Sequence, residues 1–264
     1  MISGCSTAVR NSEQSNGKPT LKPFLYSASL GSRRWFIFGT MHFGISISEL
    51  PDFVIRNFTQ SPVVVFESVD REEDFDKLAG PLYRHSEREK ALKQETIAAL
   101  KQRGIRDGLI KIASRGALCR FYQRGPNASP NEILDLSFVR KAREQNKVRI
   151  GLDEPSAEYV KVTSDSLDAC NPDELVKVLS PTEAKANIEN ELSIYRKGDL
   201  KKFSEGDDFS SADIRIRNLS WMKKLKKISE PNVFIIVGLS HLPGETGLLK
   251  LLAQEGYSIT QVNQ

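Results

Sequence analysis

Cysteine is scarce in this sequence, with three in 264 residues. Cys5, Cys119 and Cys170 stand far apart and form no Cys-x-x-Cys pair, so neither a zinc knuckle nor a disulfide framework is signalled. Long apolar runs are missing too: no stretch approaches the roughly 20 residues that a membrane helix needs, which excludes a bilayer-spanning helix. A strong charge of one sign is also absent. The 38 basic and 34 acidic residues leave a formal charge of +4, too small and too dispersed to argue for a nucleic-acid partner. No repeat of solenoid period occurs. What remains is ordinary globular composition, 39% hydrophobic and 27% charged, in a chain long enough to bury a full core without staples.

The ends and middle of the chain differ in texture. Residues 1–22 read as a polar, flexible tail and 23–264 as one α/β domain with a helical insertion at about 70–145. Phe24–Ser29 and Arg33–Phe38 flank Leu30-Gly31-Ser32 and predict an N-terminal β-hairpin. A helix is expected near Pro51–Thr59, followed by a strand at Pro62–Phe66 whose continuous β-branched character suits burial on both faces. In the insertion, Arg88–Arg103 reads as a helix stopped by Gly104. Three helix starts share one pattern: Ser129-Pro130-x-Glu132, Asn171-Pro172-x-Glu174 and Ser180-Pro181-x-Glu183. Each offers a capping oxygen, a proline that needs no N–H partner and a glutamate able to reach back.

Val148–Leu152 predicts a third short strand. From Ser211 to Ile228 the positions Ile216, Leu219, Met222, Leu225 and Ile228 form one apolar stripe that is expected to face the core. Asn232–Val237 is a second Val/Ile/Phe strand, followed by a helix to Gly256 and a last strand at Tyr257–Val262. Strands alternating with helices predict a mixed, largely parallel sheet flanked by helices, with the insertion as a cap over the site.

Candidate chemistry gathers at strand ends. His42, Glu67, Asp153 or Glu154, and His241 each follow a strand-like run, and ligands of open α/β sheets lie outside the carboxyl ends of the strands. Two of the three histidines occupy matching Gly-x-x-His settings, Gly39–His42 and Gly238–His241, while His85 lies in the charged insertion. The glycines are expected to let the backbone turn sharply off the strand. Two imidazoles with one or two carboxylates make a first shell for divalent Zn, Mn, Co or Fe. The plain alternative for either histidine is a hydrogen-bonded, partly buried side chain. Glu67 is costly to bury ionised unless a metal or Arg217 meets it, the alternative being a carboxylate facing water. Glu154-Pro155 also reads as the start of a helix.

These residues resemble the opening and closing blocks of the TraB/GumN family, which is related to the Tiki metalloproteases that cleave Wnt proteins. Phe36-Ile37-Phe38-Gly39-Thr40-Met41-His42-Phe43-Gly44, Leu50-Pro51 and Val65-Phe66-Glu67 look like its start. Arg217-Asn218 with Met222, then Phe234–Gly244 and Gly247 through Tyr257, look like its end. Between them, Gly151-Leu152-Asp153 is similar to the family's Gly-Leu-Glu step, and Tyr195-x-x-Gly198-Asp199-Leu200 to its Tyr-x-x-Gly-Asp-Leu. Asp153 is one methylene shorter than the glutamate many relatives carry, with Glu154 as a substitute.

The resemblance implies paired Gly-x-x-His motifs around a divalent cation, Mn or Co favoured and Zn accommodated, held by His42, His241 and carboxylates drawn from Glu67, Asp153 and Glu154. It implies peptide-bond hydrolysis in the Tiki branch only, and the expectation for this chain is a metal-dependent, metallopeptidase-like hydrolase acting on a peptide or other small polymer. In that scheme Glu67 is either ligand or general base. Arg217 steadies negative charge if its end of the helix meets the crevice, and otherwise makes a surface ion pair. The competing expectation is a non-catalytic module that binds peptide or saccharide on the same fold. Lys223, Lys224, Lys226 and Lys227 form a basic face open to anionic lipid or polymer, or simply solvated. Finally, Ile2-Ser3-Gly4-Cys5 resembles a bacterial lipobox, with the polar run Ser6–Thr20 as a tether. This predicts a lipid anchor at Cys5 and a place in the cell envelope. The other reading is a frayed terminus on a cytoplasmic protein, since no basic or apolar signal segment precedes Cys5.

Overall fold

The computed structural model of this chain describes residues 21–42, 44–67, 92–124, 134–153, 170–205 and 212–263. Cys5 and the tail behind it, His85, Glu154 and the helix start at Ser129 lie outside them. Six strands form one sheet: β1 (Phe24–Leu30), β2 (Arg33–Thr40), β3 (Val63–Phe66), β4 (Val148–Gly151), β5 (Asn232–Gly238) and β6 (Ser258–Gln261), in spatial order β4-β3-β5-β2-β1-β6. The β2, β5, β3 and β4 neighbours run parallel, and β1 is antiparallel to both β2 and β6. The sheet is therefore mixed and largely parallel, as expected, with an N-terminal hairpin. Gly31, at φ +58, makes the hairpin turn.

Among the described residues ten α-helices flank the sheet: α1 (Asp52–Gln60), α2 (Gln94–Gln102), α3 (Asp107–Ile112), α4 (Arg115–Arg124), α5 (Leu134–Glu144), α6 (Pro172–Val178), α7 (Pro181–Lys197), α8 (Leu200–Glu205), α9 (Ala212–Leu225) and α10 (Leu248–Gln254). The proline-led starts behave as their chemistry dictates. The Ser180 hydroxyl accepts from the Glu183 amide while the Glu183 carboxylate accepts from the Ser180 amide, and Asn171 accepts from the Asp173 amide. Central strands β3 and β5 are buried along nearly their whole length, which is why they read as continuous Val, Ile and Phe. Against them packs an aromatic cluster from four elements. Phe138 of α5 lies 5.0 Å from Phe58 of α1 and 5.7 Å from Phe38 of β2, and Phe234 of β5 lies 5.7 Å from Phe58.

A second core belongs to the helices alone. Leu100, Ile105, Leu118, Tyr122 and Ala184 are buried there, so α2 to α4 pack with α6 and the first turns of α7, whereas α5 packs into the core of the sheet. Helix α7 thus has its start in the helical layer and Tyr195 in the sheet core.

Two expectations are corrected. Cys119 and Cys170 form a disulfide between α4 and the chain two residues before α6, 51 positions apart. That separation leaves no local spacing for a sequence reading to find. On α9 the buried face is Asn218, Trp221, Met222 and Leu225, while Leu219 is 40% exposed. The helix is turned from the predicted stripe because the large Trp221 ring buries more apolar area than Leu219 would.

Candidate functional site

Strands β2, β3, β4 and β5 end at Thr40, Phe66, Gly151 and Gly238 along one edge of the sheet. Within the next three residues of each come His42, Glu67, Asp153 and His241, so parallel pairing alone delivers all four to one place. The Gly238 amide donates to Glu67 Oε1 at 2.5 Å, tying β5 to the end of β3, and His241 Nε2 lies 4.0 Å from that oxygen. A Cβ on Gly238 would stand 3.0 Å from His42 Nε2 and 3.1 Å from Glu67 Oε1. The bare glycine is what lets these two groups approach one point.

The two glycines do not turn the backbone as expected. Gly238 sits at φ −56 and ψ 140, open to any residue, and Gly39 is not in the left-handed region either. They serve by lack of volume. A Cβ on Gly39 would fall 2.7 Å from a Leu242 methyl and 2.8 Å from one of Leu239.

Arg217 is not the surface ion pair that a basic amphipathic helix suggests. Its side chain is 13% exposed, and its guanidinium occupies the middle of the cluster. Nη2 donates to Glu67 Oε2 at 2.5 Å and to Asp153 Oδ2 at 3.0 Å, Nε donates to Asp153 Oδ1 at 3.1 Å, and Nη1 meets His241 Nε2 at 3.0 Å. Such planar, forked donation to carboxylates is what Arg does and Lys does not. Trp221 completes the seat, lying 4.7 Å under the guanidinium and donating from Nε1 to Asp153 Oδ1 at 2.9 Å. Burial pushes the Asp153 carboxyl above its ordinary range, with the Glu67 charge adding to the push and Arg217 opposing it. Among the described residues no three His, Cys, Asp or Glu side chains converge closely enough to hold a metal ion. Arg217 stands between His241 and the two carboxylates.

Both histidines are also held from behind. His42 Nδ1 lies 2.9 Å from Asp135 Oδ2 on α5, and the Thr40 hydroxyl donates to Asp135 Oδ1 at 2.9 Å. His241 Nδ1 lies 2.7 Å from Asn218 Oδ1 on α9, and Trp221 stacks on the His241 ring at 4.3 Å. The loop after His42 is clasped by the end of α7. Arg196 bonds Glu49 and the Gly44 carbonyl, and the Tyr195 hydroxyl donates to the Gly39 carbonyl at 2.8 Å.

The model of the TraB/PrgY/gumN family matches residues 24–261, nearly the whole chain. The chain belongs to the TraB/PrgY/gumN family. Neither the curated proteins nor the solved structures held a match to it. In this TraB/PrgY/gumN member His42, Glu67, Asp153 and His241 lie together at the sheet edge where the strand-end reading expects them, while Asp135, Asn218 and Trp221, which hydrogen-bond or stack on them, were not among its candidates. A signal for Asp135 was present. It is a lone acid between Leu134 and Leu136 on a helix whose positions 134, 138, 139 and 142 are all buried. No helix among the described residues is long and apolar enough to cross a membrane.

Proposed function

We propose that this protein is a metal-dependent hydrolase whose divalent cation, Mn or Co before Zn, is held by His42, His241 and Glu67. The observation that carries the reading is the cradle at Gly238, where His42 Nε2 and Glu67 Oε1 both come within about 3 Å of the place a Cβ would fill. Two imidazoles and a carboxylate are a donor set suited to these ions. When bound, the cation supplies Lewis-acid polarisation of a carbonyl and a bound water acidified toward neutrality. The chain's own residues do the rest. Asp153 and Trp221 hold the Arg217 guanidinium between His241 and Glu67, where it meets negative charge on a peptide or other small polymer. Asp153 is thereby an anchor for Arg217 rather than a ligand.

A second reading draws on Arg217 as well. Its contact with His241 Nε2 balances the site's charge from within, which suits a module that captures a peptide or saccharide without turning it over. Turnover of a peptide library with added Mn separates the two.

Calorimetric titration with Mn, Co and Zn is expected to give near one-to-one binding, lost in His42→Ala and in His241→Ala and kept in His85→Ala. Loss in His85→Ala alone would sink the assignment. In Glu67→Gln a ligand's removal weakens affinity, whereas intact affinity with turnover lowered by about 10² to 10⁴ would make Glu67 the general base. We also propose a location in the cell envelope. The lipobox-like Ile2–Cys5 and the Cys119–Cys170 pairing support it, since disulfides persist in oxidising compartments.

A further inference from the structure

We propose that Asp135 and Asn218 are positioning residues that fix both histidines in the Nδ1–H form, so that His42 and His241 each turn an Nε2 lone pair to the crevice. At His241 the chemistry of the partners forces the assignment. Asn218 Nδ2 donates to the His241 carbonyl at 3.1 Å and to the Thr246 carbonyl at 2.8 Å, which leaves Oδ1 as the amide atom facing His241 Nδ1. An amide oxygen only accepts, so the proton sits on Nδ1. From the other side Nη1 of Arg217, which only donates, meets Nε2 and requires a lone pair there. For His42 the partner is a carboxylate, again an acceptor facing Nδ1, and its second oxygen takes the Thr40 hydroxyl. Asp135 is buried, and a carboxylate withdrawn from water is tolerated where such donors meet it.

The two supports come from different helices and share no residue, yet impose the same tautomer. The two rings are not equally enclosed. The His42 side chain is 31% exposed and the His241 side chain 3%, so water competes for His42 and not for His241. A free imidazole in water prefers the opposite, Nε2–H form, which makes the expected state of His42 a signature that only an acceptor behind Nδ1 produces. The consequence for a cation rests on the hydrolase reading, since neutral Nε2 is what a metal ligand must present and a fixed partner behind it raises affinity.

The test is long-range proton–nitrogen correlation on the full chain labelled with ¹⁵N-histidine, without metal, at neutral pH. His42 and His241 are expected to show the Nδ1–H pattern, with His85→Ala removing the third signal. Asp135→Ala should return His42 toward the Nε2–H form and leave His241 unchanged, and Asn218→Ala should do the converse. Asp135→Asn should keep the wild-type tautomer. Its amide oxygen still accepts from His42, while the Thr40 hydroxyl can donate to the Val237 carbonyl, 3.2 Å away. With Mn, the alanine variants should bind 10-fold to 100-fold more weakly and Asp135→Asn close to wild type. An Nε2–H signal from either histidine in the wild-type protein, which needs no variant to fold, overturns the proposal. So does an Asp135→Ala protein whose His42 tautomer is unmoved. Correct tautomers with no metal binding would remove the hydrolase reading and leave this one standing, and the reverse pairing of results would do the opposite.

Discussion

At the scale of single residues, the site depends on an atom that is missing. Gly238 has a backbone that alanine adopts without strain, so Gly238→Ala should fold with near-native stability. The added methyl would stand against His42 Nε2 and Glu67 Oε1 and hold them apart. The expected result is a melting temperature within a few degrees of wild type and Mn binding weakened at least about 10-fold, in line with the loss of an oriented ligand. Unchanged affinity would place the cation away from Gly238. Gly39→Ala is a different experiment, because its methyl would meet Leu239 and Leu242 in the core. Arg217 shows why its role was hard to read in advance. Its neighbours at 215, 223 and 224 make the helix look solvated, and only the burial of Asn218 and Trp221 turns Arg217 inward.

At the scale of elements, the helical layer is organised by one carboxylate. Asp173, at the first turn of α6, accepts from the Lys93 amide at 3.1 Å, from the Thr96 hydroxyl at 2.6 Å and from Arg115 at 2.6 Å, so it joins α2, α4 and α6. Burial by itself would raise its carboxyl, but these donors outweigh it and hold the group below the ordinary value of about 3.9. A group depressed in the folded state stabilises the fold above that ordinary value, and the contribution fades as the pH falls through and below it. Asp173→Asn should therefore cost about 2 kcal/mol at neutral pH, as hydrogen bonds to a buried charge do, and cost least near pH 2 to 3. Urea unfolding at the two pH values measures this, and an equal cost at both would show that the carboxylate's charge is irrelevant. The strands and proline-led helix starts were legible because each is written in a few adjacent residues. The Asp173 junction and the Cys119–Cys170 bond were not, because they join segments far apart in the chain.

At the scale of the molecule, one topological rule accounts for most of what the sequence revealed. Parallel strands carry their successors to a common edge, so a reader who finds the strands finds His42, Glu67, Asp153 and His241 together. Residues contributed by helix faces, Asp135 and Asn218 above all, needed the packed structure. The proposed anchor at Cys5 is tested by mass spectrometry of the native protein from membrane and soluble extracts. Acylated Cys5 in the membrane fraction is the expected outcome, and an unmodified Cys5 in membrane-free extract would dispose of the anchor.

Strand β1 runs against its neighbours, with Phe24 opposite Gly39, and β6 finishes with Gln261 opposite Tyr26. The described chain therefore enters and leaves the sheet at the crevice end, while the Gly31 turn lies at the far end. A purification tag, a fluorophore or a surface linkage added before residue 21 or after residue 263 would join the fold beside the mouth of the site. One introduced at Ser32 would leave that mouth clear, which makes the hairpin turn the place from which to immobilise this protein for any binding measurement.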